Sequence, residues 1–383
     1  MCSKHLFIFI PVILIYLSIA CTKNENFHPT NENLHPNFDI DITEVQKKER
    51  SSSETYPGLI SLASRLQEST IQTHIGKAEG YSHEMIGSVE GITIDQKLSR
   101  FLVLDSQQMG INQYDFAGNY IHSLLREGRG PGELINPSKL TLSDDSLYVL
   151  NFSFGLNRYS VSSDSLQYID EINSPYPPLG FCLNHNQLFV YTLPVTGPSE
   201  VEKQNNVLAF NTSNITEITN KFGIMYKSDS WMAISSMSMS AGIECTNGSE
   251  TVVQYFEFMN LLYGFNLDGT LKWITRLPDF NFIEITEHED GRINFSTVSE
   301  KNSKKNSIQN LISVNQDFFI AQITNLASNE NDVDTYDTYL LSYSHGNGVF
   351  LTSNWPIVKA VSDNYILFYN INNDVPQIEI ASY

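Results

Sequence analysis

From residue 71 to the C-terminus, apolar and polar side chains alternate with a period of two, interrupted at short intervals by Asn, Asp, Gly and Ser. A period of two puts successive side chains on opposite faces of an extended chain, so it predicts strands joined by tight turns. The strands recur as a hairpin of two apolar runs around a polar turn. The first pairs Gly91–Asp95 with Phe101–Asp105, and the second pairs Leu140–Ser143 with Ser146–Leu150. Phe181–Leu183 with Leu188–Tyr191 and Ala241–Cys245 with Thr251–Phe256 follow. Leu311–Val314 with Phe318–Ala321 and Val358–Val361 with Tyr365–Phe368 complete six. After most of them comes a second hairpin that opens on an aromatic residue. Tyr114–Ile121 and Phe265–Leu271 are the clearest copies, and Tyr159–Leu166, Phe210–Ile215 and Tyr343–Phe350 are looser ones. One helix is predicted over residues 55–70, where Leu59, Leu62, Ala63 and Leu66 share an i, i+3, i+4, i+7 stripe.

Six copies in about 310 residues give roughly 50 residues each, the size of a four-stranded propeller blade. A single blade cannot bury both faces, whereas six arranged radially can, and closing the ring leaves only short edges. The predicted fold is therefore an all-β six-bladed propeller over residues 55–383. Closure has a sequence correlate. The sixth unit ends after its third strand, Pro376–Ile380, while residues 71–80 align with the fourth strand and exit loop at 121–130. Residues 71–76 are thus expected to complete the blade begun at residue 358. The alternative architecture is a β-sandwich with an open sheet.

The N-terminus reads as an address. Lys4 precedes an apolar run from Leu6 to Leu17, which is short for the roughly 30 Å of a bilayer core, so residues 1–20 read as a signal peptide. The polar stretch from Thr22 to Asn37 reads as the start of a flexible tether over residues 21–54. Of the four cysteines, Cys2 lies in the signal, and no Cys-x-x-Cys occurs. Two buried reduced thiols is the plainest reading of Cys182 and Cys245. Both fall on innermost strands of adjacent blades, which leaves a disulfide geometrically open in an exported protein.

Composition bounds the function. The 383 residues carry 23 Lys and Arg against 43 Asp and Glu, a formal net charge of −20, which argues against nucleic acid as a partner. Aromatic residues reach 11%, enough to exclude wholesale disorder.

Two stretches carry a family resemblance. Leu17-Ser18-Ile19-Ala20-Cys21 resembles a bacterial lipoprotein box, with Ser18 where that box usually has Leu; it implies lipidation at Cys21, a membrane anchor, and an outer-membrane rather than inner-membrane address. Gly128–Pro137, leading into Lys139–Leu142 and followed by Asn157-Arg158-Tyr159, resembles an NHL-type repeat. Together they resemble the six-bladed β-propeller lipoproteins of Bacteroides-like bacteria. The repeat match covers residues 87–170 and supports fold and address more than chemistry.

In such a ring the connections between blades surround the mouth of the central channel, a natural pocket. They carry Tyr81, His83, Arg126, Arg129, Tyr176, Tyr226, Trp231, His288, Arg292 and Trp355, rings and donors suited to a sugar or peptide. For each one singly, loop packing or a solvated charge is the plainer role. The turn Arg126–Glu133 could hold an anion, but glycines that permit a tight path, with Arg129 paired to Glu133, explain it more simply. Glu330, Asp332, Asp334 and Asp337 lack the Gly and terminal Glu of an EF-hand, so Ca²⁺ is only weakly indicated and no metal or cofactor is assigned. Neither His-Glu-x-x-His nor Gly-x-Ser-x-Gly occurs. The sequence therefore points to a binding or scaffold protein that recognises a peptide, glycan or envelope protein. A metal-assisted lyase or hydrolase of the NHL-like propeller type is the alternative, and a flat-surfaced assembly factor is a third.

Overall fold

The second strand of the first blade, Arg100–Asp105, is buried along its whole length, because its two faces look at two different neighbours. Phe101 and Val103 pack with the last blade, and Leu102 and Leu104 pack with the second. The same division recurs in the third blade, where Leu188 and Val190 face backward and Phe189 and Tyr191 face forward. Such strands carry apolar side chains on both sides, as central strands of fully covered sheets do.

The protein is seen in a computed structural model. It describes residues 25–27, 34–35, 40–45 and 56–383, except 126, 129, 152–154, 163–164, 173, 194–204, 229, 279, 281–283, 288–292, 297–305, 326–333 and 372–374. Six antiparallel four-stranded sheets follow one another. Blade 1 is Val89–Asp95, Arg100–Asp105, Gly110–Asp115 and Tyr120–Leu125. Blade 2 is Pro137–Ser143, Ser146–Asn151, Gly155–Val161 and Leu166–Ile172. Blade 3 is Pro178–Asn184, Gln187–Thr192, Val207–Asn211 and Asn214–Phe222. Blade 4 is Ala241–Glu244, Thr251–Phe256, Leu261–Asn266 and Leu271–Arg276. Blade 5 is Asn306–Ser313, Phe318–Asn325, Thr335–Ser342 and Gly348–Thr352. Blade 6 takes Ile357–Val361, Tyr365–Asn370 and Gln377–Ser382 from the C-terminus and Thr70–Ile75 from the N-terminal side. In that last sheet Thr73 lies opposite Ile380 and Ile75 opposite Ile378.

Six apolar clusters fill the six gaps between neighbouring blades, the one between blades 6 and 1 included. Polar side chains tie the same gaps. Gln254 accepts from Ile224 N and donates to Ile224 O (both 2.8 Å), and Gln322 accepts from Val358 N (2.7 Å) and donates to Pro356 O (3.0 Å). Arg100 is paired with Asp95 in a fully buried position (2.9 Å) and also donates to Ser162 O of blade 2 (2.8 Å). Gln254, Gln322 and Arg100 are thus each partnered where they are buried, as low-dielectric surroundings favour.

Helix α1, Pro57–Gln67, opens with proline in its first turn and buries Leu59, Leu62, Ala63 and Leu66 against blades 5 and 6. A second helix, α2 (Trp231–Met239), was not expected from the sequence. Its nine residues are apolar around much of the circumference, so no single stripe marks it, and it is fixed by Ser230 Oγ accepting from Ala233 N. The stretch expected to be a free tether also differs. Ile42–Glu44 adds a fifth, parallel strand to blade 4, and Val45 is buried beside it. Leu34–His35 pairs with Met225–Tyr226, and Glu25–Phe27 pairs with Glu284–Glu287. The outer strand of blade 4 offers unpaired backbone groups, and Ile40 and Ile42 supply apolar side chains that cover it. The signal peptide and Cys21 lie outside the described residues.

The expectation of two free thiols is corrected. Cys182 and Cys245 are joined in a disulfide, with their Cα atoms 5.4 Å apart. Innermost strands converge toward the ring axis, which brings these two within bridging range although 63 residues separate them. A peptide map without reductant is expected to show the linked pair. A Cys182→Ala/Cys245→Ala double variant is expected to unfold in urea with about 3–4 kcal/mol less stability, from the loop the bridge closes; an unchanged midpoint would contradict this.

Candidate functional site

The innermost strands of the blades enclose a cavity of about 510 Å³ on the ring axis. Core residues such as Ile92, Leu140 and Leu311 reach its wall, but hydroxyls, amides and charges predominate over apolar groups there. Thr93, Thr141, Thr246, Ser313 and Ser362 contribute hydroxyls, and Gln96, Asn247 and Gln309 contribute amides. The charged side chains in the wall are Glu90, Lys139, Glu244 and Lys359.

A recurring irregularity aims several of these groups. Near the start of five of the six innermost strands, one residue is left unpaired by a register shift. These residues are Glu90, Ser138, Leu179, Gln309 and Lys359. A bulge of this kind re-aims a side chain at the rim of a sheet. Four of the five residues line the cavity. Leu179 instead joins the core between blades 3 and 4.

Blade 3 is nearly absent from the wall, contributing only Leu183. Blades 2 and 4 reach each other across its front. Lys139 Nζ lies 3.1 Å from Glu244 Oε2, and Asn247 Nδ2 donates to Ser143 Oγ at 3.1 Å. Glu244 Oε1 accepts from Ser313 Oγ (2.7 Å), which is itself 2.7 Å from the buried Tyr343 hydroxyl. Since the Ser313 proton goes to the carboxylate, Tyr343 donates to Ser313. On this side of the channel every charge is therefore paired and hydrogen-bonded.

The opposite side is different. Lys359 Nζ makes one long hydrogen bond, to Glu90 O at 3.4 Å, and lies 5.6 Å from the centre of the Tyr369 ring. Half-buried in the channel wall, the amine is pulled down to about 8 by desolvation, against a smaller opposing pull from Glu90. Next to it Asn310 Nδ2 donates to Val358 O at 2.7 Å.

Blade 4 adds a further pair. Gly242 on its innermost strand leaves a gap that the Tyr255 ring fills, and a Cβ at 242 would lie 2.8–2.9 Å from that ring. Tyr255 thereby reaches the cavity wall from the second strand. Two residues on, Glu257 occupies the turn after Thr251–Phe256. Its backbone ties the connection before blade 4 to the innermost strand of blade 5, donating to Ser240 O (2.6 Å) and accepting from Ile308 N (2.7 Å). Burial pushes the Glu257 carboxyl up to about 7.

None of the six described loop residues read from the sequence as ligand contacts lines this cavity. Tyr81 and His83 stack in series on Tyr120, the two ring-to-ring steps being 5.6 and 3.9 Å, at the outer strand of blade 1. Tyr176 packs on the core between blades 2 and 3, Tyr226 is fully buried between blades 3 and 4, and Trp231 packs beside Met225 and Ile234. Trp355 lies 5.4 Å from Phe368 in the core between blades 5 and 6. Arg126, Arg129, His288 and Arg292 lie outside the described residues. Glu133 accepts from Gly130 N at 2.7 Å, and its carboxyl fills the space a Cβ at Gly128 would need, so that turn is closed by its own side chain. Asp337 is buried in the third strand of blade 5 and accepts from Ser353 Oγ at 2.5 Å; Glu330 and Asp332 lie outside the described residues. Among the described residues no three His, Cys, Asp or Glu side chains group as a metal site requires.

Residues 82–244, from the approach to blade 1 through the innermost strand of blade 4, match the model of the DUF5128 family, described as "6-bladed beta-propeller". The chain is a six-bladed β-propeller. Two solved structures share the ring. A member of the DUF4221 family from Bacteroides vulgatus ATCC 8482 is 7% identical, with a TM-score of 0.54 over 82% of this chain and 97% of its own. A protein named "Putative exported protein" from Bacteroides fragilis NCTC 9343 is 10% identical, with a TM-score of 0.55 over 90% of this chain and 99% of its own. At such identities the likeness concerns the fold alone. No curated protein matches the sequence.

The position of Glu257 makes the stability of the propeller pH-dependent. Its folded carboxyl holds a proton more tightly than the unfolded one, so its contribution is fully present below about pH 4.5 and is lost as pH rises through about 7. Glu257→Gln is expected to raise the melting temperature at about pH 8 by on the order of 2 °C. The gain should shrink toward pH 4.5; an equal gain at both pH values would contradict the assignment.

Proposed function

We propose that the protein is an exported, lipid-anchored binding protein that recognises a peptide, glycan or protein partner through the mouth of its central channel. The observation that carries this reading is the cavity itself: it is concave and polar, and its size is that of a small-ligand site. Its wall is assembled by repeated bulges that turn polar side chains inward from four blades. A ring needs no such cavity polarity for its own packing, since the interblade cores already bury the apolar faces.

The anchor rests on the sequence around Cys21 and on the apolar run before it. The likeness to a Bacteroides protein named as exported supports an envelope address, and the bridged cysteines fit an oxidising compartment. In this reading lipid on Cys21 holds the propeller at the outer membrane, with the channel free to meet its ligand.

Two measurements test the proposal. Wild-type protein expressed in a Bacteroides host is expected to incorporate labelled palmitate, and Cys21→Ser to incorporate none and leave the membrane fraction. On glycan and peptide arrays the full chain is expected to retain ligands that the channel-filling variant Thr141→Trp does not. Binding that survives the Trp would place recognition elsewhere on the propeller.

A further inference from the structure

The two sides of the channel treat their charges unequally. Lys139 and Glu244 neutralise each other, and Ser313 completes the carboxylate's shell. Lys359 has no such relief: among the described residues no carboxylate comes within ion-pair distance of its ammonium. In a chain with 43 acidic residues against 23 basic ones, a half-buried cation in the channel wall without a counter-charge is not a consequence of composition. A cation partly withdrawn from water is stabilised when an anion pairs with it.

Other groups in the cavity wall are equally incomplete. Gln309 accepts from Thr324 Oγ1 at 2.9 Å, which fixes its amide and leaves the Nε2 donors for the cavity. Asn310 Oδ1 and Ser138 Oγ are buried at the wall without a hydrogen-bond partner. Unmade hydrogen bonds at buried atoms are rare in folded proteins and usually have a ligand, water or functional reason. Here they lie on blades 2 and 5 around the same cavity that holds the unpaired ammonium.

We propose that the channel binds a compact organic carboxylate, its anionic group against Lys359 Nζ and Gln309 Nε2 and its hydroxyl or amide groups toward the polar wall of the cavity. The inference rests on the channel being the binding site and adds the chemistry of the ligand. A carboxylate supplies the missing counter-charge through charge-assisted hydrogen bonds, which are stronger than neutral ones. An acidic sugar and the free end of a peptide share this chemistry.

Binding is linked to protonation. The titratable or charged groups around Lys359 are Glu90 on the neighbouring innermost strand, Tyr369 on its own blade and, across the channel, Lys139, Glu244 and Tyr255. The free amine loses its proton at about pH 8, and a bound carboxylate favours the protonated form, so affinity falls as pH rises above that value.

Isothermal titration of the full chain in detergent provides the test. The probes are D-glucuronate and N-acetyl-L-alanine, with D-glucose and N-acetyl-L-alaninamide as their uncharged counterparts. At least one carboxylate is expected to bind at least tenfold more tightly than its counterpart, and which one does so separates the sugar source from the peptide end. Lys359→Met is expected to weaken that binding roughly tenfold or more while melting no lower than wild type, because it removes a desolvated charge. Lys359→Arg, which keeps the charge, is expected to retain it. Equal binding of charged and uncharged probes, no binding of either carboxylate, or full affinity in Lys359→Met would overturn the inference. Array ligands that Thr141→Trp excludes but Lys359→Met still binds would overturn it while leaving the channel as the binding site.

Discussion

Every part of this molecule depends on one constraint: a four-stranded antiparallel sheet with two apolar faces must be covered on both. The second strand of each blade shows it most plainly. Phe101 and Val103 look one way around the ring and Leu102 and Leu104 the other, and neither pair can be buried without a neighbour on that side. Six blades satisfy six neighbours only if the last meets the first. The contact of Ile75, Ile378 and Ile380 with Phe101 and Tyr114 makes that junction as apolar as the other five. Pairing Thr70–Ile75 with the C-terminal strand adds a hydrogen-bonded ladder to it, so the first and last strands of the ring are held in one sheet.

Once the apolar faces are committed to the gaps between blades, what remains at the axis is the surface no neighbour covers. That is why the innermost strands carry Thr, Ser, Gln, Lys and Glu. The bulges that turn Glu90, Ser138, Gln309 and Lys359 inward are possible there because the innermost strand has a partner on one side only. The crowding of strands at the axis also explains why contacts there join blades that are not neighbours. Lys139 of blade 2 meets Glu244 of blade 4 in front of blade 3, and the bridge between Cys182 and Cys245 secures blade 3 behind them.

The hairpins, their number and the stripe Leu59, Leu62, Ala63, Leu66 were legible because burial on a regular element imposes a period that survives in one dimension. Helix α2 was not, since its buried face mixes Ala233, Ile234 and Met237 with Ser238 while Met232 and Met239 are exposed, so the apolar residues leave no stripe. The strands over residues 25–44 were hidden for another reason. A polar segment pairs through its backbone, and Ile40, Ile42 and Val45 are too few to set a pattern. The aromatics read from the loops turned out to be packing residues: Tyr226 and Trp355 fill interblade cores, and Tyr81 and His83 stack on the outside of blade 1. A better signal was present. A charged residue inside an innermost apolar run, such as Lys359 between Val358 and Ala360, marks a side chain with nowhere to point except the channel.

The local pattern of this protein, six hairpin pairs and a displaced closing strand, is written in its sequence, because alternation and turn chemistry act between residues close along the chain. The acid excess is likewise a property of composition. Which charges stay unpaired is a different matter. Lys139 and Lys359 occupy the same kind of innermost strand, yet one finds Glu244 across the axis and the other finds only a backbone carbonyl and a ring. That difference arises from distances across the ring between residues more than a hundred positions apart. Only closing the ring sets those distances.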